Sequence, residues 1–255
     1  MPDGHTSVHF SARQILYIWL VAFFTASLII ADIVGVKLFR LETGLGWTPA
    51  DPIIHTCGML VFPVTFILTD LLNEYYGRKA ARRAALIAFS MGMFVFAVLN
   101  VALAMPHLDA DFNVDPAAFA EVFAGSRIMF VASLLAFLAA SYLDIFIFGL
   151  LKRLTRGKAL WLRATGSTVL SQVIDSLLVT YLAFGLGRTL FPDPANPPMP
   201  WPTLLQVAAT GYLLKFVLAV GITPLIYAGH AVLHRGFGLA PLPPEGADAP
   251  PLEAE

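Results

Sequence analysis

Charge is scarce in this sequence. Only 13% of the 255 residues are Asp, Glu, Lys or Arg, whereas 58% are hydrophobic and the mean hydropathy is +0.75. About a quarter of the residues of a typical soluble domain are charged. So few charges cannot cover a surface that faces water, and the composition therefore indicates a chain whose solvent is lipid. The net charge of −1 provides no basic field for nucleic acid.

Cysteine is almost absent as well. The single Cys57 excludes an internal disulfide framework and a cysteine-based metal cluster. The histidines cluster near the ends of the chain or in outer loops, and no two have metal-ligand spacing inside a predicted span. The sequence also lacks a Walker loop, a dinucleotide-binding glycine pattern and a zincin helix. We therefore predict a protein that is not an enzyme and that uses no metal or cofactor.

Long apolar runs are what the sequence has instead. A helix needs about 20 apolar residues to cross a hydrocarbon core of ~30 Å. Six segments meet this length, at 15–39, 53–74, 84–105, 127–150, 165–187 and 204–228. The prediction is an all-α, polytopic membrane protein with six transmembrane helices. Its parts are a cytoplasmic N-terminal segment at 1–14, a transmembrane domain at 15–235 and a disordered cytoplasmic tail at 236–255.

Basic residues alternate between the predicted loops. Spans two and three are joined by a loop with four Lys or Arg residues, and spans four and five by a loop with five. The loop between spans three and four is acidic, with Asp109, Asp111, Asp115 and Glu121. Loops rich in Lys and Arg stay on the cytoplasmic side. We therefore expect a multi-pass protein of a bacterial inner membrane with both termini in the cytoplasm.

Several polar side chains lie inside the predicted spans, where a charge costs ~2.5–3.5 kcal/mol and usually has a function. Asp70 and Glu74 are four residues apart and share a helix face. Asp175 lies on a polar stripe of span five and at a depth similar to that of Lys215 in span six, so the two could pair. Further polar residues of the spans are Asp32, Lys37, Asn73, Asp144, Thr168, Ser171, Gln172 and Ser176.

Several of these residues also have a structural interpretation. Lys37 could extend its ammonium to the outer headgroups. Asp70 and Glu74 could pair with the arginines of the adjacent basic loop, at positions 78, 82 and 83. An Asp175–Lys215 pair could serve only to join two helices. The spacing alone leaves these alternatives open.

Specific strings then point to a family. They are Phe62-Pro-Val-Thr-Phe66, Thr69-Asp70, Asn73-Glu-Tyr-Tyr-Gly-Arg-Lys79, Ala81-Arg82, Arg127 with Ala132-Ser-Leu134, Asp144, Leu160-Trp-Leu-Arg163, Ser167-Thr168, Ser171-Gln-Val-Ile-Asp175, Lys215 and Thr223-Pro224. In this order and spacing, from Ala31 to Tyr227, the chain resembles the queuosine precursor transporter family, also called the VUT family.

The resemblance implies uptake of 7-cyano-7-deazaguanine and of its 7-aminomethyl relative, which feed queuosine modification of tRNA. It also implies a fold similar to the six-helix substrate-binding subunits of energy-coupling-factor transporters. The implied partners are the small base and the lipid bilayer, with no nucleic acid, and a homo-oligomer stays open. A stand-alone transporter is the main prediction. The alternative is a substrate-capturing subunit of an ATP-driven vitamin or nucleobase uptake complex.

The polar residues suit such a cargo. A carboxylate can accept the adjacent N–H and amino groups of a guanine-like edge in charge-assisted bonds. We predict that Asp175 or Glu74 binds this edge with help from Gln172, and that Asp70 and Lys215 serve as gate or charge partner. Candidates for stacking on the flat ring are Phe66, Tyr142 and Phe216. The predicted substrate site comprises Asp175, Gln172, Glu74, Asp70, Lys215, Asn73, Phe66 and Ser171.

Overall fold

The computed structural model describes residues 10–42, 53–123, 127–192, 194 and 196–244, and this part of the chain is mostly helical. Its helices and strands in chain order are α1 (Ala12–Val34), β1 (Leu38–Leu41), β2 (Ile53–Thr56), a 3₁₀ turn (Cys57–Leu60), α2 (Phe62–Ala104), α3 (Pro116–Phe123), α4 (Arg127–Leu154), α5 (Leu160–Thr180), a π-helical turn (Tyr181–Leu186), α6 (Gly187–Leu190), α7 (Trp201–Gly221), α8 (Thr223–Ala231) and a second π-helical turn (Val232–Gly236).

Five helical stretches of this described part are long and apolar enough to cross a membrane. They are Ala12–Val34, Phe62–Ala104, Pro116–Leu154, Leu160–Leu190 and Trp201–Gly221. A chain with several such helices is a multi-pass membrane protein, as the sequence predicts. Four predicted spans, 15–39, 127–150, 165–187 and 204–228, coincide in the main with separate stretches. The predicted spans at 53–74 and 84–105 instead fall largely within the single helical stretch of α2.

Helix α2 is broken at Gly77. A straight helix of 43 residues would be about 65 Å long, roughly twice the thickness of a hydrocarbon core. Gly77 has φ 80° and ψ 169°, a combination that is essentially restricted to glycine. The chain changes direction at this residue, and α2 therefore consists of two arms, 62–76 and 78–104.

The break lies beside the beginning of α1. The guanidinium of Arg13 donates a hydrogen bond of 2.8 Å to the carbonyl oxygen of Tyr75, on one side of the break. The hydroxyl of Tyr17 donates one of 3.1 Å to the carbonyl oxygen of Ala80, on the other side. The turn between the arms is thus fastened to the first two turns of α1.

Both far ends of α2 lie at the other end of α1. A side chain on Gly58, just before α2, would collide with the carbonyl oxygen of Ala31. Asn100, near the end of the second arm, lines a small crevice together with Asp32. The two arms therefore run alongside α1 and antiparallel to each other. Gly77 lies near the start of α1, and the outer ends of both arms lie near the end of α1. Buried leucines of the first arm and alanines of the second pack into one cluster with α1.

Strands β1 and β2 form an antiparallel pair in which Phe39 lies opposite His55. The pair follows α1 and precedes α2, so it sits at the end of the bundle opposite Gly77. The predicted helical spans 15–39 and 53–74 include Leu38, Phe39 and all of β2, and the prediction of helix is wrong for these residues. Short strands form here because the segment leaves the end of α1 and has to return to the start of α2.

Part of the predicted disordered tail makes contacts. The amide of Leu239 donates to the carbonyl oxygen of Leu233, and the amide of Leu242 donates to that of Glu74, at 3.2 and 3.0 Å. The side chain of Leu242 also approaches Gly77. Residues 237–244 thus pack against the Gly77 end of the bundle. The prediction of disorder for 245–255 falls outside the described residues.

The conformation of Gly77 yields a test of the break. Gly77→Ala should lower the free energy of unfolding by about 1–3 kcal/mol, because a side chain makes this backbone conformation strained. The measurement is thermal or denaturant unfolding of the purified protein in detergent. Gly221→Ala is the matched control, since an added methyl group there meets no atom within 4 Å. Equal stability of the two variants would show that α2 does not need this turn.

Candidate functional site

A cavity of about 660 Å³ lies between α1, α2, α4, α5, α7 and the strand pair. Small-molecule sites in proteins usually enclose about 300–1,000 Å³ and combine apolar walls with a few polar groups. The wall here is largely apolar, and its ionisable and amide side chains are Asp32, His55, Asp144, Gln172, Asp175, Gln206 and Lys215. The cavity extends towards the strand pair, at the end of the bundle opposite Gly77.

Asp175 and Lys215 form an ion pair in the cavity wall. The Lys215 ammonium donates a hydrogen bond to the Asp175 carboxylate across the contact between α5 and α7. The two residues are only 7% and 5% exposed, so each neutralises a largely buried charge. The ammonium also lies 4.7 Å from the centre of the Phe62 ring. The pairing predicted from their similar depth is confirmed.

Gln172 lies one helical turn before Asp175 and lines the same cavity. Its side-chain oxygen is buried and has no hydrogen-bond partner in the described part of the chain. A buried polar atom without a partner costs about 1–3 kcal/mol. The amide of Gln172 is therefore available to a polar guest beside the ion pair.

Asp32 is a cavity residue that the predicted site omits. One oxygen of its carboxylate accepts a hydrogen bond of 2.8 Å from the Ser133 hydroxyl. The other oxygen is buried and has no partner among the described residues. The sequence identified Asp32 as an ionisable residue within a span. However, no polar neighbour at helical spacing in α1 connected it with the residues of α5 and α7.

Asp144 closes the cavity on the side nearer Gly77. Three hydroxyls of α5 donate to the same carboxylate oxygen, those of Ser167, Thr168 and Ser171, at 2.9, 3.3 and 3.2 Å. Ser171, which the sequence predicts as a substrate contact, therefore orients Asp144 and is not part of the cavity wall. Asn73, another predicted contact, donates instead to the backbone oxygen of Ile145 at 3.3 Å.

Glu74 belongs to a buried ion cluster that lies beyond Asp144, outside the cavity. The guanidinium of Arg163 donates two hydrogen bonds to its carboxylate, at 2.8 and 3.1 Å. The ammonium of Lys152 lies 3.0 Å from the same carboxylate. Glu74 is 1% exposed and is absent from the cavity wall. The structure thus places Glu74 in a structural cluster. Its cations come from α4 and α5, and not from the arginines that follow it in sequence.

Asp70 lies one turn before Glu74 on the same face of α2. It is 1% exposed and does not line the cavity. Neither of its carboxylate oxygens has a hydrogen-bond partner in the described part of the chain. The structure therefore separates Asp70 from the cavity.

Aromatic rings line the cavity near the ion pair. Phe66, a predicted stacking residue, is in the wall together with Phe62. Their ring centres are 5.7 Å apart with planes at 70°, a favourable edge-to-face arrangement. The other two candidates, Tyr142 and Phe216, are each 37% exposed and do not line the cavity. Helical rotation turns these two rings outward, which their positions in sequence could not show.

The Glu74 cluster should be required for folding. Glu74→Gln leaves two cations buried without a matching charge, and loss of one partner of a buried pair typically costs about 3–5 kcal/mol. We expect a loss of stability of this size in unfolding experiments on the purified protein. Glu121→Gln, which removes an exposed carboxylate of α3, should change stability by less than about 0.5 kcal/mol. A Glu74→Gln protein as stable as the control would contradict the structural role.

Comparison with known proteins places this geometry in context. Residues 56–229 match a family model described as "Putative vitamin uptake transporter". The chain is 29% identical over 220 residues to the "Probable queuosine precursor transporter" of Bacillus subtilis (strain 168), which covers 86% of this chain and 84% of that protein. It is 28% identical over 170 residues to the "Queuosine precursor transporter" of Escherichia coli (strain K12), covering 65% and 67%. No solved structure matches the chain at a significant level.

Proposed function

This chain belongs to the vitamin uptake transporter family, and on that premise we propose that it imports a queuosine precursor, 7-cyano-7-deazaguanine or its 7-aminomethyl relative. Similarity to two transporters named for such a precursor supports this substrate class. The observation that carries the proposal is the Asp175–Lys215 pair, which presents a buried acceptor beside a buried donor in the wall of a cavity large enough for a base.

The pair complements one edge of a 7-deazaguanine. This edge offers a ring N–H and an amino group as donors, next to a carbonyl oxygen as acceptor. The Asp175 carboxylate can accept from both donors in charge-assisted hydrogen bonds, while the Lys215 ammonium turns to the carbonyl oxygen. The base thereby takes the place of Lys215 at Asp175 and the place of Asp175 at Lys215. Each ion keeps a hydrogen-bond partner during this exchange, which lowers the cost of separating the buried pair.

Neighbouring groups would complete the binding site. Gln172 offers an amide whose oxygen has no partner in the described chain. The open oxygen of Asp32 suits a further N–H or an ammonium group of the base. Phe62 and Phe66 provide aromatic surface for the flat ring, and stacking on such rings tolerates different substituents. The proposed site thus retains four of the predicted residues, Asp175, Gln172, Lys215 and Phe66. We assign a structural role, and no contact with the base, to Glu74, Asn73 and Ser171.

We also infer six membrane crossings, with the two arms of α2 as separate spans. The antiparallel arms and the basic residues beside Gly77 support this count, because Lys and Arg mark cytoplasmic turns. Both termini are then cytoplasmic in a bacterial inner membrane. The strand pair lies at the outer face, and the cavity is accessible from outside. Asp144 and the Glu74 cluster close the inner side, so a rearrangement of these groups has to precede release of the base into the cytoplasm.

The transport proposal is tested at Asp175. Asp175→Asn retains the size of the side chain but removes its charge, and hydrogen bonds to charged groups contribute about 1.5–3 kcal/mol. We expect uptake and affinity to fall by about tenfold or more. Uptake is measured in bacterial cells that lack 7-deazaguanine synthesis, with queuosine in tRNA as the readout. Affinity is measured by binding of 7-cyano-7-deazaguanine, with guanine as the comparison base, to the purified protein.

Two controls separate recognition from folding. Asp109→Asn removes an exposed carboxylate and should leave uptake at the wild-type level. Asp175→Asn combined with Lys215→Met contains neither charge, so it should be more stable than Asp175→Asn alone and yet remain unable to bind the base. Full, saturable uptake by Asp175→Asn would eliminate the proposed site.

The number of crossings is tested by labelling single cysteines in a Cys57→Ser background. Lys79 and Asp111 are both exposed; Lys79 lies at the beginning of the second arm of α2, and Asp111 follows its end. With six crossings, a membrane-impermeant maleimide should label Asp111→Cys in intact spheroplasts and Lys79→Cys only after lysis. Labelling of both positions from the same side would contradict the two-arm arrangement of α2.

A further inference from the structure

Asp70 is a buried acid that lies outside the cavity wall and has no role in the proposed binding of the base. It is 1% exposed, and neither carboxylate oxygen has a hydrogen-bond partner in the described part of the chain. An ionised carboxylate without a partner is very costly in an apolar interior, and such a group becomes neutral by binding a proton. Burial without a partner is thus the geometry in which a carboxyl group binds a proton.

The charges around Asp70 favour this neutral form. The groups that act on it are Asp144 from α4, Glu74 from its own helix and Arg163 from α5. Two of these are carboxylates, and like charges that share a buried site oppose a further negative charge. Arg163 could compensate a negative Asp70, but its guanidinium is bound to both oxygens of Glu74.

Two further titratable groups contact residues other than Asp70, although the Nε2 atom of His230 has no partner among the described residues. Lys152 of α4 lies 3.0 Å from the Glu74 carboxylate and contacts its backbone oxygen. A ring nitrogen of His230 of α8 is 2.9 Å from the Tyr75 hydroxyl. Neither group donates a hydrogen bond to Asp70 in the described part of the chain.

Asp70 also lies between two functional layers. Phe66, one turn earlier in α2, and Thr69, the preceding residue, line the cavity, and Asp144 lines the same cavity from α4. One turn later, Glu74 forms the ion cluster that closes the inner side. The three hydroxyls on Asp144 stabilise its carboxylate as an anion. Of the two neighbouring acids, the one that faces the cavity is thus stabilised in the charged form and the one behind it is not.

We propose that Asp70 is a proton-binding site that couples import of the base to inward movement of a proton, an inference that rests on the proposed function. Asp144 receives a proton from the cavity and passes it to Asp70. When the Glu74 cluster opens, Arg163 moves from Glu74 to Asp70, which lies one turn away. The O–H bond of Asp70 then breaks, the proton leaves to cytoplasmic water, and the resulting carboxylate is neutralised by the guanidinium.

The experiment uses the full chain reconstituted in liposomes that contain a pH-sensitive dye. Addition of 7-cyano-7-deazaguanine outside should acidify the lumen of wild-type liposomes. A gradient that is alkaline inside should increase the initial uptake several-fold. Asp70→Asn has the shape of the protonated acid but cannot release a proton. It should lose both the lumen acidification and the response to the gradient. It should still exchange external labelled base for internal unlabelled base, because Asp70 does not line the cavity.

Asp109→Asn, which removes an exposed carboxylate, should retain the acidification and the gradient response. A wild-type protein that transports base without moving protons would overturn the coupling and leave the proposed function intact. Asp70→Asn with an unchanged gradient response would overturn the assignment to Asp70. A wild-type protein that neither binds nor exchanges the base would overturn the proposed function. The wild-type proton measurement requires no variant, so it decides the coupling even if Asp70→Asn does not fold.

Discussion

The structure depends on how buried ionised side chains are matched with partners. Glu74 is matched by two cations, Asp175 by Lys215, and Asp144 by three hydroxyls. Each match joins two or three helices, because the partners come from different parts of the chain. In an apolar medium an unmatched charge costs several kcal/mol, so these contacts determine which helix faces meet. Helix packing around the cavity follows from them.

Much of this arrangement was predictable from sequence, because depth in a membrane can be counted in residues. The similar depths of Asp175 and Lys215 predicted their pair, and the spacing of Gln172 and Asp175 predicted a common face. The partners of Glu74 were not predictable in this way. Arg163 and Lys152 belong to a basic loop by composition, and only the packing of α4 and α5 brings their side chains inward. Phe62 and Asp32 were omitted from the predicted site because helix rotation decides which residues reach a cavity.

The two arms of α2 illustrate a related limit. Hydropathy separates two apolar runs on either side of Arg78 and Lys79, and this pattern predicts two spans. The backbone instead stays helical through the basic residues and changes direction within the single residue Gly77. Composition therefore locates the turn, but its geometry depends on one glycine whose backbone conformation other residues rarely adopt. The strand pair was not predicted for a similar reason, since its apolar residues continue the hydrophobic pattern of the adjacent helices.

The matching of charges also explains how buried ions in the cavity wall can be stable and still serve to bind a polar guest. Without a guest, Asp175 and Lys215 neutralise each other, and neither charge depends on water. A guest with donors and an acceptor on one edge can take over both partners at once, whereas a guest with only one kind of group would leave one ion unmatched. In the proposed recognition, selectivity arises from the ion pair itself, because a cargo with donors and an acceptor on one edge provides a hydrogen-bond partner for both members.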